Sequence, residues 1–322
     1  MKVVYCVKAG THLDLVYQDI APPSPPGPGE IQVSVDARGI QFSDLVRFAG
    51  DYQDNAGYPF VVGGEGGGTV VAAGSGVTQV EPGDKVLVPA GCVEIVNVAE
   101  KAATLVPDGI DLKVAASFRN NYLTALDGLT RAGLQPGETL LVHGAAGGVG
   151  LAAVDVGKLM GASVIGTASS DEKLAVVKQM GADQVINYNN GFREQVKQLT
   201  SGLGADVIYD PVGGDVFDES VRSIAPFGRI LIVGFTGGRP ALAKTNHLLV
   251  KDASVIGYTV GGLQRHRPQL ARGHMQVLMG WLASGRIHPF ISHVLPMADI
   301  VEAYQLLVDR KVVGKAIITN SR

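Results

Sequence analysis

The chain has 322 residues, of which 46% are hydrophobic and 18% charged, and its formal net charge at pH 7 is −3. This length suits two domains, and the composition is that of an ordinary globular protein. Because lysine and arginine are scattered among acidic residues, the sequence predicts no nucleic-acid partner and no binding to an anionic membrane.

The start of the chain lacks the charged and apolar regions of a signal peptide, and no run reaches the ~18 apolar residues of a membrane-spanning helix. We therefore expect a cytoplasmic protein. The two cysteines, Cys6 and Cys92, each lie in an apolar run. Two cysteines are too few for a disulfide framework, so we expect buried thiols.

The first part of the chain alternates short apolar runs with glycine and proline, a pattern typical of a β-barrel-like domain. The predicted strands are Lys2–Ala9, Leu13–Asp19, Glu30–Ala37, Gly68–Ala73, Asp84–Pro89 and Cys92–Ala99. A predicted helix then runs from Val114 to Ala132.

The next stretch changes its hydrophobic period across a glycine turn, from the strand-like run Thr139–Val142 to a helix-like spacing. The turn, Ala145-x-Gly147-x-x-Gly150, matches the dinucleotide-binding fingerprint with alanine in place of the first glycine. Gly147 would let the backbone approach a diphosphate, and Gly150 would let the helix pack closely on the strand. The alternative is a glycine turn that only connects a strand to a helix.

Strands and helices continue to alternate beyond this turn. The predicted elements are strand Ser163–Thr167, helix Asp171–Met180, strand Gln184–Asn187, helix Phe192–Thr200, strand Asp206–Asp210 and strand Arg229–Gly234. This alternation predicts a Rossmann-type, doubly wound parallel sheet of the α/β class. Such sheets bind ligands at the carboxyl ends of their strands.

The end of the chain changes character again. Its predicted elements are helix Leu270–Leu282, extended segment Pro289–Leu295, helix Ala298–Val308 and final strand Val312–Thr319. The final strand needs a sheet to join, and the N-terminal domain is the best host. We therefore predict a discontinuous first domain of residues 1–115 and 263–322, into which a cofactor domain of residues 116–262 is inserted.

With the glycine turn preceded by a β-rich part and followed by a closing strand, the chain resembles the medium-chain dehydrogenase/reductase superfamily. Within it, the chain is most similar to the zinc-free quinone oxidoreductase branch related to zeta-crystallin. Further support comes from Gly39-Ile-Gln-Phe-Ser-Asp44, Gly63-Gly-Glu-Gly-Gly-Gly68, Asp210-Pro-Val-Gly-Gly214 and Gly314-Lys315. The resemblance implies a GroES-like β-barrel catalytic domain and a Rossmann domain that binds NADPH.

The same resemblance bears on metal binding. Zinc-dependent members of the superfamily have a cysteine ligand where this chain has Gln41, and a histidine ligand where it has Gly64, beside Glu65. Zinc needs three or four N, S or O ligands in fixed geometry. We therefore expect no metal.

The choice of cofactor depends on the residues after the second Rossmann strand, where NAD enzymes usually place a carboxylate. Here the sequence is Gly166-Thr-Ala-Ser-Ser170, with Lys173 nearby, which favours the 2′-phosphate of NADPH. The resemblance assigns Ser169, Lys173 and Tyr188 to that phosphate. Ser169–Glu172 also has the pattern of a capping box that begins a helix, and the two roles are compatible.

The resemblance also implies the remaining site residues. The predicted cofactor-binding set is Ala145, Gly147, Gly148, Val149, Gly150, Ser169, Lys173, Tyr188, Gly234, Phe235 and Lys315. For catalysis we expect Gln41, Tyr52 and Thr124 near the nicotinamide. The family usually has asparagine at the position of Gln41, and both Gln41 and Tyr52 also fit polar loop positions without a catalytic role.

Reduction without a metal favours a conjugated acceptor, because conjugation spreads the charge that hydride transfer places on oxygen. We therefore predict an NADPH-dependent quinone or enone oxidoreductase. Two alternatives stay open: a reductase of acryloyl- or enoyl-thioesters such as those of coenzyme A, and a non-catalytic NADPH-binding protein.

Two other stretches carry predictions. Arg119-Asn-Asn-Tyr122 is unusually polar and would either contact an anionic substrate tail or solvate the start of a helix. The apolar run Ser254–Val260 predicts an edge strand of the Rossmann sheet, and an edge strand needs covering. Since family members commonly pair at this edge, we expect a homodimer.

Overall fold

The computed structural model describes residues 1–53 and 57–320. The chain divides into two compact units, the first formed by Met1–Arg119 with Pro289–Arg322 and the second by Asn120–His288. The first unit is thus discontinuous in sequence.

The N-terminal part of the first unit consists mainly of short antiparallel strands. They are β1 (Lys2–Cys6), β2 (Leu15–Asp19), β3 (Glu30–Ile40), β4 (Phe60–Val61), β5 (Gly66–Ala73), β6 (Lys85–Val88), β7 (Ile95–Ala99) and β8 (Thr104–Leu105). One sheet has the order β2-β1-β4. A larger one includes the order β3-β5-β6-β8, and β7 also pairs with β3. The sequence of β3 alternates, so that Ile31, Val33 and Val35 are buried in a common core with Val70 and Val86.

Two helices follow strands of this part of the chain. Helix α1 (Phe42–Ala49) buries Phe48 and ends at Gly50, whose φ of 83° is the left-handed conformation that glycine adopts without strain. Helix α2 spans Leu112–Arg131. Both free cysteines of the described chain are buried, as predicted, and burial raises the pKa of Cys92 to about 12.

The second unit is an alternating α/β fold. Its elements are β9 (Thr139–Val142), α3 (Gly148–Leu159), β10 (Ser163–Ala168), α4 (Asp171–Gln179), β11 (Gln184–Asn187), α5 (Arg193–Leu199), β12 (Ala205–Asp210), α6 (Gly214–Ser223), β13 (Ile224–Ile232), α7 (Thr245–Lys251), β14 (Ser254–Gly257), α8 (Val260–His266) and α9 (Pro268–Ala283). The strands are parallel, in the order β11-β10-β9-β12-β13-β14. This is the doubly wound Rossmann arrangement, which confirms the predicted fold class.

The chain then returns to the first unit with β15 (Ile291–Pro296), α10 (Ile300–Val308) and β16 (Lys315–Thr319). Strand β16 pairs in parallel with β15 and antiparallel with β3. The final strand therefore joins the sheet of the N-terminal part, as predicted. No helix in the described part of the chain is long and apolar enough to cross a membrane.

The C-terminal boundary of the second unit differs from the predicted one, because residues 263–288 cluster with the second unit and not with the first. On α9, His274 Nδ1 lies 3.9 Å from the carboxylate of Asp127. Beyond α9, the His288 N–H donates to Asp155 Oδ2 at 3.0 Å. These contacts tie the segment to α2 and α3, which the sequence pattern alone does not reveal.

Candidate cofactor and substrate residues

The glycine turn lies at the carboxyl end of β9 and opens α3. Gly147 is the residue before the helix, with extended backbone angles, and Gly148, Val149 and Gly150 form the first turn. As the first residues of a helix, these three have N–H groups without an intrahelical acceptor. Ala145 is buried and donates its N–H to Thr167 O on β10 at 2.9 Å. The turn is therefore anchored to the neighbouring strand β10, and the first N–H groups of α3 lie at the end of the turn without an intrahelical acceptor.

Two glycines in this turn have different surroundings. A Cβ at Gly150 would lie 2.4 Å from Gly144 O and 2.7 Å from Ala145 Cα, both of which are backbone atoms. A Cβ at Gly147 would meet only Gly144 O, at 3.3 Å. The close packing of α3 on the turn therefore requires glycine at position 150. At Gly147, by contrast, the side where a Cβ would lie is mostly open.

The carboxyl ends of β10 and β11 bring together three predicted cofactor residues. Ser169 follows β10, Lys173 lies in the first turn of α4, and Tyr188 follows β11. The Ser169 carbonyl accepts from Asn189 Nδ2 at 2.9 Å, which joins the two strand ends. Tyr188 is half-buried and packs on the core of the sheet.

The cap of α4 differs in detail from the predicted capping box. Ser170, and not Ser169, is the N-cap residue, and its hydroxyl accepts from the Lys173 N–H at 3.4 Å. The nearby Asp171 carboxylate accepts from Asn187 Nδ2 at 3.1 Å. Ser169 is therefore not used as the helix cap.

His143, at the end of β9, is a buried residue that the sequence analysis did not single out. Its Nε2 lies 2.8 Å from Ser220 Oγ, and its Nδ1 lies 3.1 Å from Thr167 Oγ1. Since the Ser220 hydroxyl donates to Val216 O, the imidazole must carry its proton on Nε2. Burial lowers the pKa of His143 to about 3, so the ring is neutral. The only sequence signal was its position directly before the glycine turn.

The loops after β12 and β13 are joined by backbone hydrogen bonds. Buried Asp210 accepts from the N–H groups of Val212 and Gly213 through Oδ1, whereas Oδ2 has no hydrogen-bond partner among the residues that the structure describes. Burial raises the pKa of Asp210. Predicted cofactor residues Gly234 and Phe235 lie in the loop after β13, and the Phe235 side chain is 44% exposed.

Thr124 lies on α2 in the second unit. Its hydroxyl donates to Asn120 O at 2.6 Å, and its carbonyl accepts from the Tyr258 hydroxyl at 3.0 Å. The hydroxyl proton is thus used within the helix, and the expected place of Thr124 near the nicotinamide stays a prediction.

In the first unit, strand register brings Gln41, Glu65 and Lys315 to one place. Ile40 on β3 is opposite Ala316 on β16, and the Gly39 N–H donates to Glu65 O at 3.0 Å. The Lys315 ammonium lies 3.2 Å from Glu65 Oε2, and both side chains are buried. The predicted cofactor residue Lys315 is therefore held in an ion pair.

Gln41 and Tyr52, the other predicted catalytic residues, also belong to the first unit. Gln41 is the N-cap residue of α1, and its N–H donates to Asp44 Oδ2 at 2.9 Å. Asp44 is buried, which raises its pKa, and it also accepts from the Tyr304 hydroxyl at 2.9 Å. The Arg47 guanidinium stacks on the Tyr52 ring, 5.0 Å from its centre.

Comparison with known proteins identifies the family. Two family models match the chain, the alcohol dehydrogenase GroES-like domain over residues 27–120 and the zinc-binding dehydrogenase over residues 148–274. The quinone oxidoreductase-like protein 2 homolog of Nematostella vectensis is 37% identical over 329 aligned positions, which cover 100% of this chain and 89% of the relative. The chain belongs to the quinone oxidoreductase branch of the medium-chain dehydrogenase/reductase superfamily.

Other members of this quinone oxidoreductase branch support the assignment. A quinone oxidoreductase of Pseudomonas aeruginosa is 33% identical, with coverage of 94% of this chain and 95% of the relative. The crystal structure of Escherichia coli quinone oxidoreductase complexed with NADPH has a TM-score of 0.90 and 28% identity, and it covers 99% of this chain and 100% of that one.

The residues of this quinone oxidoreductase-branch protein fit a dinucleotide. The open side of Gly147 and the free N–H groups that begin α3 suit a diphosphate. Hydroxyl and ammonium groups follow β10, with Ser169 just before α4 and Lys173 in its first turn. In residues 1–53 and 57–320, no group of three or more His, Cys, Asp or Glu is arranged to hold a metal ion.

Proposed function

We propose that this protein is an NADPH-dependent oxidoreductase that reduces a quinone or an α,β-unsaturated carbonyl without a catalytic metal. The observation that carries the proposal is the glycine turn at the end of β9, which opens α3 without a side chain at Gly147. The order of the sheet supports the proposal, because β9 lies between β10 and β12, and doubly wound sheets bind their ligands where the strand order reverses.

In this proposal, Gly147 to Gly150 bind the diphosphate, and Ala145 holds the turn on β10. Ser169, Lys173 and Tyr188 bind the 2′-phosphate, since the two strand ends that carry them are joined. Gly234 and Phe235 contact the nicotinamide half from the loop after β13. NADPH bound there would supply a hydride, and the chain would supply orientation and exclusion of water.

The metal-free part of the proposal rests on residue identity. Gln41 and Gly64 occupy the positions of two zinc ligands in the zinc-dependent relatives. The carboxylate next to them, Glu65, is already paired with Lys315. A conjugated acceptor needs less help than a simple ketone, because its own π system takes up charge.

Gln41 and Tyr52 are the residues that we propose to contact the acceptor. Gln41 follows directly after β3, next to the Glu65–Lys315 pair in register. Tyr52 carries a phenol whose ring is positioned by Arg47. Lys315 positions the Glu65 carboxylate in this proposal, and its place in the cofactor-binding set stays a prediction.

The test is consumption of NADPH with four acceptors: a benzoquinone, a 2-alkenal, a cyclic enone and crotonyl-CoA, with NADH as the control cofactor. Turnover of the quinone or of the enones with NADPH supports the proposal. Preference for crotonyl-CoA would favour the enoyl-thioester alternative instead. Protection against unfolding by NADPH without turnover of any acceptor would indicate a non-catalytic binding protein.

We also propose a homodimer formed through β14. This strand is at the edge of the second unit's sheet and pairs with β13 on one side. Leu249 and Val250, on α7 just before it, are 80% and 79% exposed. Sedimentation as a monomer at micromolar concentration would contradict the dimer. The cytoplasmic location stays a prediction from the sequence.

A further inference from the structure

The first unit contains a guanidinium, that of Arg119, that interacts with a carboxylate already paired with another cation. Helix α2 passes directly over β3, since a Cβ added to Gly39 would lie 2.3 Å from Ala116 O. Arg119 lies three residues further along α2, about one helical turn. This places Arg119 near the Glu65–Lys315 pair. Burial lowers the pKa of the Arg119 guanidinium, and the Glu65 carboxylate partly opposes that shift.

The Glu65 carboxylate therefore interacts with two cations, Lys315 and Arg119. Glu65 is committed to Lys315 at 3.2 Å. Asp44, a carboxylate that interacts with Lys315, is buried and accepts from the Gln41 N–H and the Tyr304 hydroxyl. Within the portion that the structure describes, the Arg119 guanidinium makes no hydrogen bond and no ion pair within 4 Å.

Arg119 is nevertheless held in place and remains within reach of solvent. Its neighbours Ala115, Ala116, Ser117 and Phe118 are buried, whereas Arg119 is only partly buried. A desolvated but accessible guanidinium favours binding of an anion, because hydrogen bonds between charged groups are stronger than neutral ones. The paired N–H donors of the guanidinium also match the oxygens of carboxylate, sulfonate and phosphate groups.

We propose that Arg119 binds an anionic group of the acceptor, so that the preferred substrate is a quinone or conjugated carbonyl compound that carries a carboxylate, sulfonate or phosphate. This inference rests on the proposed function and narrows its substrate class. Arg119 acts on specificity and takes no part in hydride transfer.

The test compares two acceptors that differ in charge, 1,2-naphthoquinone and 1,2-naphthoquinone-4-sulfonate, with NADPH held saturating. Three variants are measured beside the natural protein: Arg119→Gln, which removes the charge; Arg119→Lys, which retains it; and Lys113→Gln. Lys113 is a matched control, since it lies on the same helix with its side chain 44% exposed and paired with Asp111.

Arg119→Gln is expected to raise KM for the sulfonate by about ten- to a hundredfold, with kcat and the KM for the neutral quinone changed less than about twofold. Arg119→Lys should retain most of the preference for the sulfonate over the neutral quinone, and Lys113→Gln should retain all of it. Added salt should raise KM for the sulfonate selectively.

The outcomes separate the two proposals. If both quinones are turned over and Arg119→Gln does not alter the ratio of their KM values, the anion-binding role is overturned and the proposed function stays intact. Equal loss on both acceptors would show a structural role for Arg119 and also overturn it. Failure of the natural protein to reduce either quinone, and also the 2-alkenal and the cyclic enone, would overturn the proposed function, and the inference with it.

Discussion

Lys315 and Glu65, 250 residues apart, form an ion pair inside the first unit, with side chains that are 3% and 0% exposed. Glu65→Gln would leave the ammonium buried without its carboxylate. We expect the free energy of unfolding to fall by about 3–5 kcal/mol, measured by denaturant titration. The control is the exposed pair of Lys2 and Asp19, where Asp19→Asn should cost less than about 1 kcal/mol. Equal costs in the two variants would show that burial does not strengthen the first pair.

The glycine turn gives a second prediction, because alanine substitutions at its two glycines should have different effects. Gly150→Ala puts a methyl group against backbone atoms at 2.4 and 2.7 Å, so we expect a loss of about 2 kcal/mol or more in stability. Gly147→Ala should fold almost normally but weaken NADPH binding at least about tenfold, since its methyl group would occupy the side facing the diphosphate.

The measurements are denaturant titration and fluorescence titration with NADPH. Gly280→Ala is the control for the alanine change itself. Gly280 is exposed on α9 with open space around it, so alanine should stabilise the helix by about 0.5–1 kcal/mol. A Gly147→Ala variant that binds NADPH like the natural protein would separate this turn from diphosphate binding.

The sequence predicted most of the second unit because its strands are continuous apolar runs. β9 and β11 begin and end at the predicted residues, and Ser254–Gly257 is an edge strand. Helices α6, α7 and α8 were missed. Helix α6 begins at Gly214, within a glycine-rich turn pattern, and it is stabilised by burying Phe217 and Val221, which is a tertiary effect.

The contacts that define the candidate site were harder to predict, because they join residues far apart in sequence. The Glu65–Lys315 pair depends on the register of β16 against β3. The bond between His143 and Ser220 depends on how α6 packs on the sheet. Local patterns do not contain this information, whereas the glycine turn is local and was found directly.

The buried His143 predicts a dependence of stability on acidity. Its pKa is about 3 in the folded chain and 6.5 when exposed, so the unfolded chain takes up a proton that the folded one does not. The linked stability is present above pH 6.5 and is lost as the pH falls toward 3, by about 1.4 kcal/mol per pH unit inside that window.

The measurement is the free energy of unfolding between pH 7 and pH 4 for the natural protein and for His143→Gln, which cannot titrate. Glutamine can still donate to Ser220, so the variant is expected to fold. We expect the natural protein to lose more stability across this range than the variant. If the stability curves of the two proteins are parallel, His143 takes up its proton over the same pH range in the folded and unfolded chains.

Cofactor choice gives the last prediction, since Lys173 lies in the first turn of α4, directly after the hydroxyls that follow β10. Lys173→Ala should raise KM for NADPH by about tenfold or more and leave KM for NADH unchanged, because NADH lacks the 2′-phosphate. Lys178→Ala is the matched control on the same helix, where the ammonium donates to the Asp183 carbonyl. It removes the same charge from α4 but should not alter the preference between the cofactors. If both lysine variants lowered the preference equally, the general positive potential of α4 would be responsible; if neither did, the assignment of the 2′-phosphate to this strand end would be wrong.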